Sequence, residues 1–122
     1  MKSRLALGAL AAAVLVAGCS FENKYEREAD KITHAVMAND LAPVKNDISP
    51  EVHITRVQIA AASDELNDQG KLESIKEVTC PPSMAGVHCF VVKFEKNTYH
   101  ETLAMDDQGK VTRWTYHIAD AR

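Results

Sequence analysis

The sequence predicts an α+β domain in which N-terminal helices pack on a curved four-stranded antiparallel sheet. Two observations lead to this fold class. Between residues 22 and 68 the apolar residues recur at helical spacing, whereas after residue 70 they fall in short runs, several of them alternating and separated by turn residues. Helices followed by a meander of strands are typical of α+β domains, because each layer must bury its apolar face against the other.

The first eighteen residues are typical of a secretory signal peptide. Lys2 and Arg4 form a short basic head, residues 5–16 are apolar throughout, and small residues follow. The apolar run is too short to span a bilayer comfortably, since a spanning helix needs about 20 residues. We therefore expect residues 1–18 to be removed.

The four residues that end this segment, Val16-Ala17-Gly18-Cys19, resemble the lipobox of bacterial lipoproteins. The resemblance implies that Cys19 carries the lipid, that residues 19–21 are a short tether, and that residues 22–119 form one domain. Several acyl chains would hold the protein on a membrane. By the sorting rule of Gram-negative lipoproteins, Ser20 implies the outer membrane, facing the periplasm; in a Gram-positive host this inference does not apply.

The charge balance excludes one class of partner. The chain has 14 Lys and Arg against 17 Asp and Glu, and two of those cations precede the predicted cleavage site, which leaves 12 against 17 and a net charge of −5. Nucleic-acid binding needs clustered cations, and here they are scattered singly. An acidic domain suits a basic protein partner in the envelope.

The two remaining cysteines, Cys80 and Cys89, flank a turn-forming segment with two prolines and a glycine. In the oxidising periplasm we expect them to form a disulfide. A metal pair with His88 is the alternative, but the spacing does not match a zinc knuckle. No metal and no cofactor are expected.

Three helical segments are predicted. Residues 22–39 carry an apolar stripe at steps of three and four. Residues 39–50 read as a turn and a short helix. The third helix is predicted over 55–68, in a longer segment that Ser49 and Pro50 could open as N-cap and first helical position and that Gly70 could close.

Four strands follow, at residues 71–80, 87–96, 98–105 and 111–119. The second is apolar on both faces, which predicts a central position in the sheet. Residues 106–110 form a hairpin turn, in which Gly109 supplies the left-handed position.

The order of elements, with the segments at residues 68–78 and 105–117, resembles small bacterial envelope domains of the NTF2-like (cystatin-like) superfamily, which are often lipoproteins of unknown function. The resemblance covers residues 22–119 and implies a conical pocket between sheet and helices. Two departures bear on that pocket: the sheet has only four predicted strands, and the helical part is short.

Three histidines fall on neighbouring strands and raise the question of a metal site or a pH-sensitive patch. If Met105 opposes Val111 across a tight turn, His117 opposes Tyr99 and not His100. The register then prevents His88, His100 and His117 from converging. We expect them to occupy separate surroundings, and His34 and His53 to be exposed.

The same register predicts an exposed ion pair between Glu101 and Arg113. Trp114 and Tyr116 alternate onto one face of the last strand. They are either core residues packed on the first helix or, with His100, part of a binding surface. Asp106 and Asp107 offer too few oxygens for calcium and are expected at a solvated hairpin tip.

The sequence contains no nucleophile elbow, phosphate loop or HExxH motif, so no catalytic residue is assigned and an enzyme is the least favoured class. The favoured hypothesis is a non-catalytic, protein-binding envelope lipoprotein, either an assembly accessory or an immunity or inhibitor protein. The alternative is a binder of a small molecule or lipid. That alternative requires a pocket of several hundred Å³ with apolar and aromatic walls.

Overall fold

The structure is a computed structural model that describes residues 23–119. Two α-helices and a 3₁₀ helix precede a four-stranded sheet, as the sequence predicts. The elements are α1 (Lys24–Met37), a 3₁₀ helix (Ala42–Asp47), α2 (Arg56–Asn67), β1 (Leu72–Val78), β2 (His88–Phe94), β3 (Thr98–Met105) and β4 (Val111–Ile118).

Helix α1 lies across the sheet and supplies much of the core. The Asn23 side chain caps its first turn by accepting the backbone N–H of Glu26 at 2.8 Å. Ala29, Ile32 and Val36 recur at steps of three and four, and each is at most 2% exposed. This apolar stripe positions α1 on the inner face of the sheet.

The N-cap of helix α2 is Thr55, six residues after Ser49, which the sequence offered as a possible cap. Thr55 accepts the N–H of Gln58, and the Gln58 side chain accepts the N–H of Thr55, so a capping box starts the helix. Ser49 instead is buried, and its N–H donates to the carbonyl of Val111 in β4. Residues 49–54 therefore form a loop that begins at the edge of the sheet.

The strands form one antiparallel sheet in the order β1-β2-β3-β4, so the apolar strand β2 is central, as predicted. The inner face, which packs on the helices, carries the largest core side chains. These are Phe90, Val92, Phe94, Tyr99 and Leu103.

The pairing of β3 with β4 corrects the predicted register. Met105 does oppose Val111, but a β-bulge follows, and Ala104 opposes Arg113. One extra residue in a strand shifts every later pair by one. As a result His117 opposes His100, and the prediction that the two point to opposite faces was wrong.

The bulge also removes the predicted ion pair. Glu101 opposes Tyr116 and is 1% exposed, while Arg113 opposes Ala104. Glu101 therefore lies in the core and not on an exposed face.

The sulfur atoms of Cys80 and Cys89 lie at disulfide distance, with their Cα atoms 5.3 Å apart. The bridge closes the loop between β1 and β2. Cys19 and the predicted signal peptide lie outside the described residues. Between residues 23 and 119, no helix has the length and apolar character needed to cross a membrane.

Candidate functional site

A groove of about 520 Å³ opens between the helices and β4, and we call it the apolar groove. Helix α1 forms one wall, α2 the second and β4 the third, while loop 49–54 borders the mouth. The side chains that form its walls include Ile32, Val36, Ile59, Ala62, Trp114 and Tyr116. Its size and apolar lining are those of ligand pockets in proteins.

Trp114 and Tyr116 are both core residues and part of a candidate binding surface, the two roles that the sequence left open. Each is partly buried and packs against the core cluster, and each also lines the apolar groove. Their ring centroids lie 5.3 Å apart at an angle of 34°. The two rings thus present a continuous aromatic wall with one side on the core and the other toward the groove.

The mouth of the groove is surrounded by exposed apolar side chains. Ile54 in loop 49–54 is 40% exposed, and Leu41 and Val52 beside it are partly exposed. Two shallower depressions, of about 500 and 900 Å³, adjoin the groove, and all three share Leu41 and Ile54. Exposed apolar side chains around a concave site are typical of surfaces that bind a partner or ligand.

The charged side chains around these depressions are mostly cationic. They are Lys45, Arg56, Lys110 and Arg113, with one acid, Asp40, and the titratable His53. The Asp40 carboxylate accepts the backbone N–H of Ala42. Among residues 23–119, no acid forms an ion pair with Lys45, Arg56 or Arg113. Arg113 lines the apolar groove itself and the other three cations line the adjoining depressions, so in an acidic chain the surroundings of the groove are locally positive.

Behind the aromatic wall lies a buried acid, Glu101. Its Oε1 accepts the indole N–H of Trp114 at 3.1 Å, and its Oε2 lies 2.8 Å from the Thr33 hydroxyl oxygen. That hydroxyl is also 2.8 Å from the carbonyl oxygen of Ala29, which can only accept a hydrogen bond. Because Thr33 has one proton and donates it to Ala29, the contact with Glu101 is satisfied when Glu101 is the donor.

Glu101 is thus best accommodated as a neutral carboxylic acid. Burial, which disfavours the charged form, raises the pKa of Glu101 to about 8, although the indole N–H of Trp114, which donates to the carboxyl, acts in the opposite direction. Glu101 does not itself line the apolar groove. Its role toward the groove is to hold the indole of Trp114 in place.

Glu65 of α2 interacts with the hydroxyl groups of two tyrosines on the inner face of the sheet, Tyr99 and Tyr116. The Tyr99 hydroxyl donates to the Glu65 carboxylate at 2.7 Å. Burial and the nearby Glu65 charge raise the pKa of both Tyr99 and Tyr116. Both phenols therefore stay protonated and act as donors at physiological pH.

His100, the third residue of the predicted binding surface, lies on the far face of the sheet, away from Trp114 and Tyr116. It faces His117, with ring centroids 5.5 Å apart and ring planes nearly perpendicular. His88 lies on the inner face, stacked on Tyr25 at 3.6 Å, and its Nδ1 is 2.7 Å from the Glu77 carboxylate. Two of the three strand histidines are thus adjacent, and the third is separate.

The part of the chain that the structure describes contains no group of three or more side chains able to hold a metal ion. At the predicted hairpin tip, Asp106 Oδ1 accepts the backbone N–H groups of Gln108 and Lys110. That oxygen closes the turn. His34 and His53 are exposed, as expected.

Sequence reasoning missed Arg113 and loop 49–54 as parts of a site, and it placed Glu101 on the surface. The alternation Tyr99-Glu101-Leu103 contained a signal for Glu101, since its neighbours two residues away are core residues. Comparison of this chain with protein-family models, with curated proteins and with solved structures finds no match. The functional conclusion therefore depends on the groove itself.

Proposed function

We propose that this protein is a non-catalytic envelope lipoprotein that binds a small apolar molecule or lipid in the apolar groove. The observation that supports this most strongly is the groove, about 520 Å³ in volume with walls of aliphatic and aromatic side chains. Ligand pockets for small molecules typically measure about 300–1,000 Å³ and are mostly apolar with a few polar groups. No acid of residues 23–119 lines the apolar groove itself, and Glu101 behind its aromatic wall is enclosed, so binding is the chemistry that we favour.

The location that we propose is the outer membrane, facing the periplasm, with the lipid on Cys19. This part of the proposal is supported by the lipobox-like sequence at residues 16–19 and by the apolar run before it. The tether from Cys19 to Asn23 spans about 14 Å at most, because an extended residue advances about 3.5 Å. The start of α1 would then lie close to the bilayer.

In this arrangement the groove faces away from the membrane. Ile32 is nine residues after Asn23, and a helix rises about 1.5 Å per residue, which places the groove more than about 13 Å along α1 from the tethered end. A ligand would therefore enter from the periplasmic side. We also propose that the fold is NTF2-like, since a pocket between helices and a curved sheet is what that resemblance implies.

A neutral dye tests the proposed function. N-phenyl-1-naphthylamine should bind with saturable, one-to-one fluorescence enhancement. Ala61 is an exposed groove residue of α2, so Ala61→Phe should fill the groove and abolish the enhancement without disturbing the core. Ala85→Phe is the matched control, because Ala85 is exposed in the disulfide-closed loop. Equal binding by all three proteins, or by none, would contradict the proposal.

A second candidate function, binding of a protein partner, is supported by the edge of β4. This strand is last in the sheet, and on the edge that faces away from β3 only Val111 is paired within residues 23–119, through Ile48 and the Ser49 N–H. Ile118 near its end is 47% exposed. An unpaired strand edge can accept an extended segment of another protein as a fifth strand.

Two apolar residues on opposite edges of the sheet allow a matched test of this second candidate. Ile118→Lys on β4 should abolish co-purification of a stoichiometric partner from detergent-solubilised envelope, whereas Val78→Lys on β1 should not. Val78 is 42% exposed and so a close match to Ile118. Failure to recover any stoichiometric protein with the unmodified chain would remove this candidate.

A further inference from the structure

We propose that the ligand of the apolar groove is a single-chain anionic amphiphile, a long-chain fatty acid, with its acyl chain in the groove and its carboxylate at Arg113. This inference rests on the proposed function and specifies its ligand. Three features of the molecule support it: the charge distribution around the groove, the position of Arg113, and the shape of the groove.

The charge distribution around the groove differs from that of the chain as a whole. Acids outnumber Lys and Arg by 17 to 14 in the sequence, yet four cations and one acid line the groove and its adjoining depressions. A concave site lined by one sign of charge attracts ligands of the opposite sign. The locally positive groove therefore selects an anion, and not the basic partner that the overall charge suggests.

Arg113 is the cation best placed to contact a bound head group. It lines the apolar groove together with its neighbour Trp114, although successive residues of a strand normally point to opposite faces. The bulge beside Ala104 and Met105 explains this, because bulges redirect a side chain. Arg113 is exposed, and its guanidinium has no ion-pair partner among residues 23–119.

Guanidinium groups bind carboxylates through two parallel hydrogen bonds. Such a contact strengthens beside apolar walls, where water screens charge less effectively. His53 also lines the groove and is a further side chain with a hydrogen-bond donor there.

The shape of the groove suits one apolar chain. The groove follows β4 from Val111 to Tyr116, and Arg113 lies on this wall two residues from Val111 and three from Tyr116. A carboxylate bound at Arg113 leaves about 10 Å of the β4 wall toward Tyr116 for the first part of an acyl chain, at the rise of a strand. Ile32 and Val36 of α1 and Ala62 of α2 complete an apolar lining for the chain.

The molecule contains its own reporter for the test. Trp114 is the only tryptophan of the chain, and it forms part of the groove wall. Its fluorescence can be titrated with dodecanoate and dodecyltrimethylammonium, each below its micelle-forming concentration, and with dodecanol below its solubility limit. The three probes share a chain and differ in the charge of the head. We expect dodecanoate to bind at least about tenfold more tightly than dodecanol, and the cation more weakly than both.

Arg113→Gln should lower the affinity for dodecanoate about tenfold and leave that for dodecanol unchanged. Arg27→Gln is the matched control, because Arg27 is exposed in the N-terminal half of α1 and does not line the groove. Near-ultraviolet circular dichroism of each variant verifies that the fold is retained.

The possible results separate this inference from the proposed function. Equal affinities for dodecanoate and dodecanol, or equal effects of the two Arg→Gln variants, would overturn the anionic ligand while leaving an apolar-ligand binder intact. Tighter binding of the cationic probe would do the same. Absence of binding by all three probes, with the neutral dye also unbound, would refute both.

Discussion

Glu101 is the residue whose chemistry depends most on its surroundings. A carboxyl group normally carries a charge at neutral pH, but this one is enclosed between α1 and β4 with no cation beside it. Its partners, Thr33 and Trp114, form an arrangement of hydrogen bonds that the neutral acid satisfies. Protonation of Glu101 therefore stabilises the core and holds Trp114 at the groove wall.

The pH dependence of stability follows from the pKa of Glu101. The carboxyl loses its proton near 4.5 in the unfolded chain and at about 8 in the folded protein. Between these values the folded state binds more protons, so the free energy of unfolding falls as the pH rises through this window and levels off above it. Since one pKa unit corresponds to about 1.4 kcal/mol, the loss by pH 9 amounts to several kcal/mol.

Glu101→Gln should remove the fall in the free energy of unfolding with rising pH. The amide matches the neutral acid in shape, accepts the Trp114 indole N–H and donates to Thr33, but it does not ionise. Urea unfolding from pH 5 to 9 should show near wild-type stability at pH 5 and higher stability than wild type at pH 9. Glu73→Gln, at an exposed position of β1, should retain the wild-type profile. If the free energy of unfolding of Glu101→Gln also fell steeply between pH 5 and 9, another titratable group would be responsible.

Among the elements, α2 is the helix whose starting point determines the shape of the groove mouth. Its capping box at Thr55 and Gln58 fixes where loop 49–54 ends and the helix starts. Because Ile54, Gln58 and Ile59 all line the groove, the start of α2 also sets the shape of the mouth. The stability of the first turn and the affinity for a ligand should therefore vary together.

Thr55→Ala should cost about 1 kcal/mol, the usual effect of losing an N-cap. Fraying of the first turn should also weaken binding of the neutral dye by a few fold. The comparison is Thr112→Ala, at an exposed threonine in the bulged start of β4, which should change neither quantity by as much. A Thr55→Ala protein with unchanged urea midpoint and dye affinity would contradict this role for the cap.

The bulge in β4 is the second element that matters for the site. Without it, Arg113 would pair across from a different residue and His100 would not face His117. One inserted residue thus determines both the groove on one side of the sheet and the histidine pair on the other.

At the scale of the whole molecule, the disulfide and the groove lie at different ends. The Cys80–Cys89 bridge closes the loop between β1 and β2, on the sheet edge opposite β4. The loop adjoins Asn23, at the start of α1, as the depression lined by Asn23, Glu77 and Cys80 shows. The bridge therefore stabilises the end that we place next to the membrane.

Replacing both cysteines by serine should destabilise the domain by about 2.7 kcal/mol, the chain-entropy effect of closing a loop of about ten residues. Because the groove is at the other end, dye affinity should stay within about twofold of wild type under conditions where the variant is folded. Thermal unfolding with and without reductant measures the first quantity. An unchanged melting temperature on reduction, or loss of dye binding in the folded variant, would contradict this separation.

The sequence by itself determined the class of fold, the number and order of strands and the position of β2 in the sheet. These follow from local signals: the spacing of apolar residues, the turn glycines and the apolar character of one strand. The same local signals predicted helix α1 almost to its ends. They also selected Trp114 and Tyr116, because two large aromatic residues alternate on one strand.

Only the tertiary structure decided what those residues do. The exposure of Arg113 to the groove and the pairing of His100 with His117 depend on one bulge, which no local pattern of residues 98–118 announced. The hydrogen bonds that hold Glu101 in the core come from α1 and β4, which are distant in the sequence from each other. The groove itself depends on where α1, α2 and β4 stand relative to one another, with loop 49–54 at its mouth. The register of the strands and the spacing between the helices and the sheet are set by contacts between distant parts of the chain. Patterns of residues that are close in the sequence therefore do not predict them.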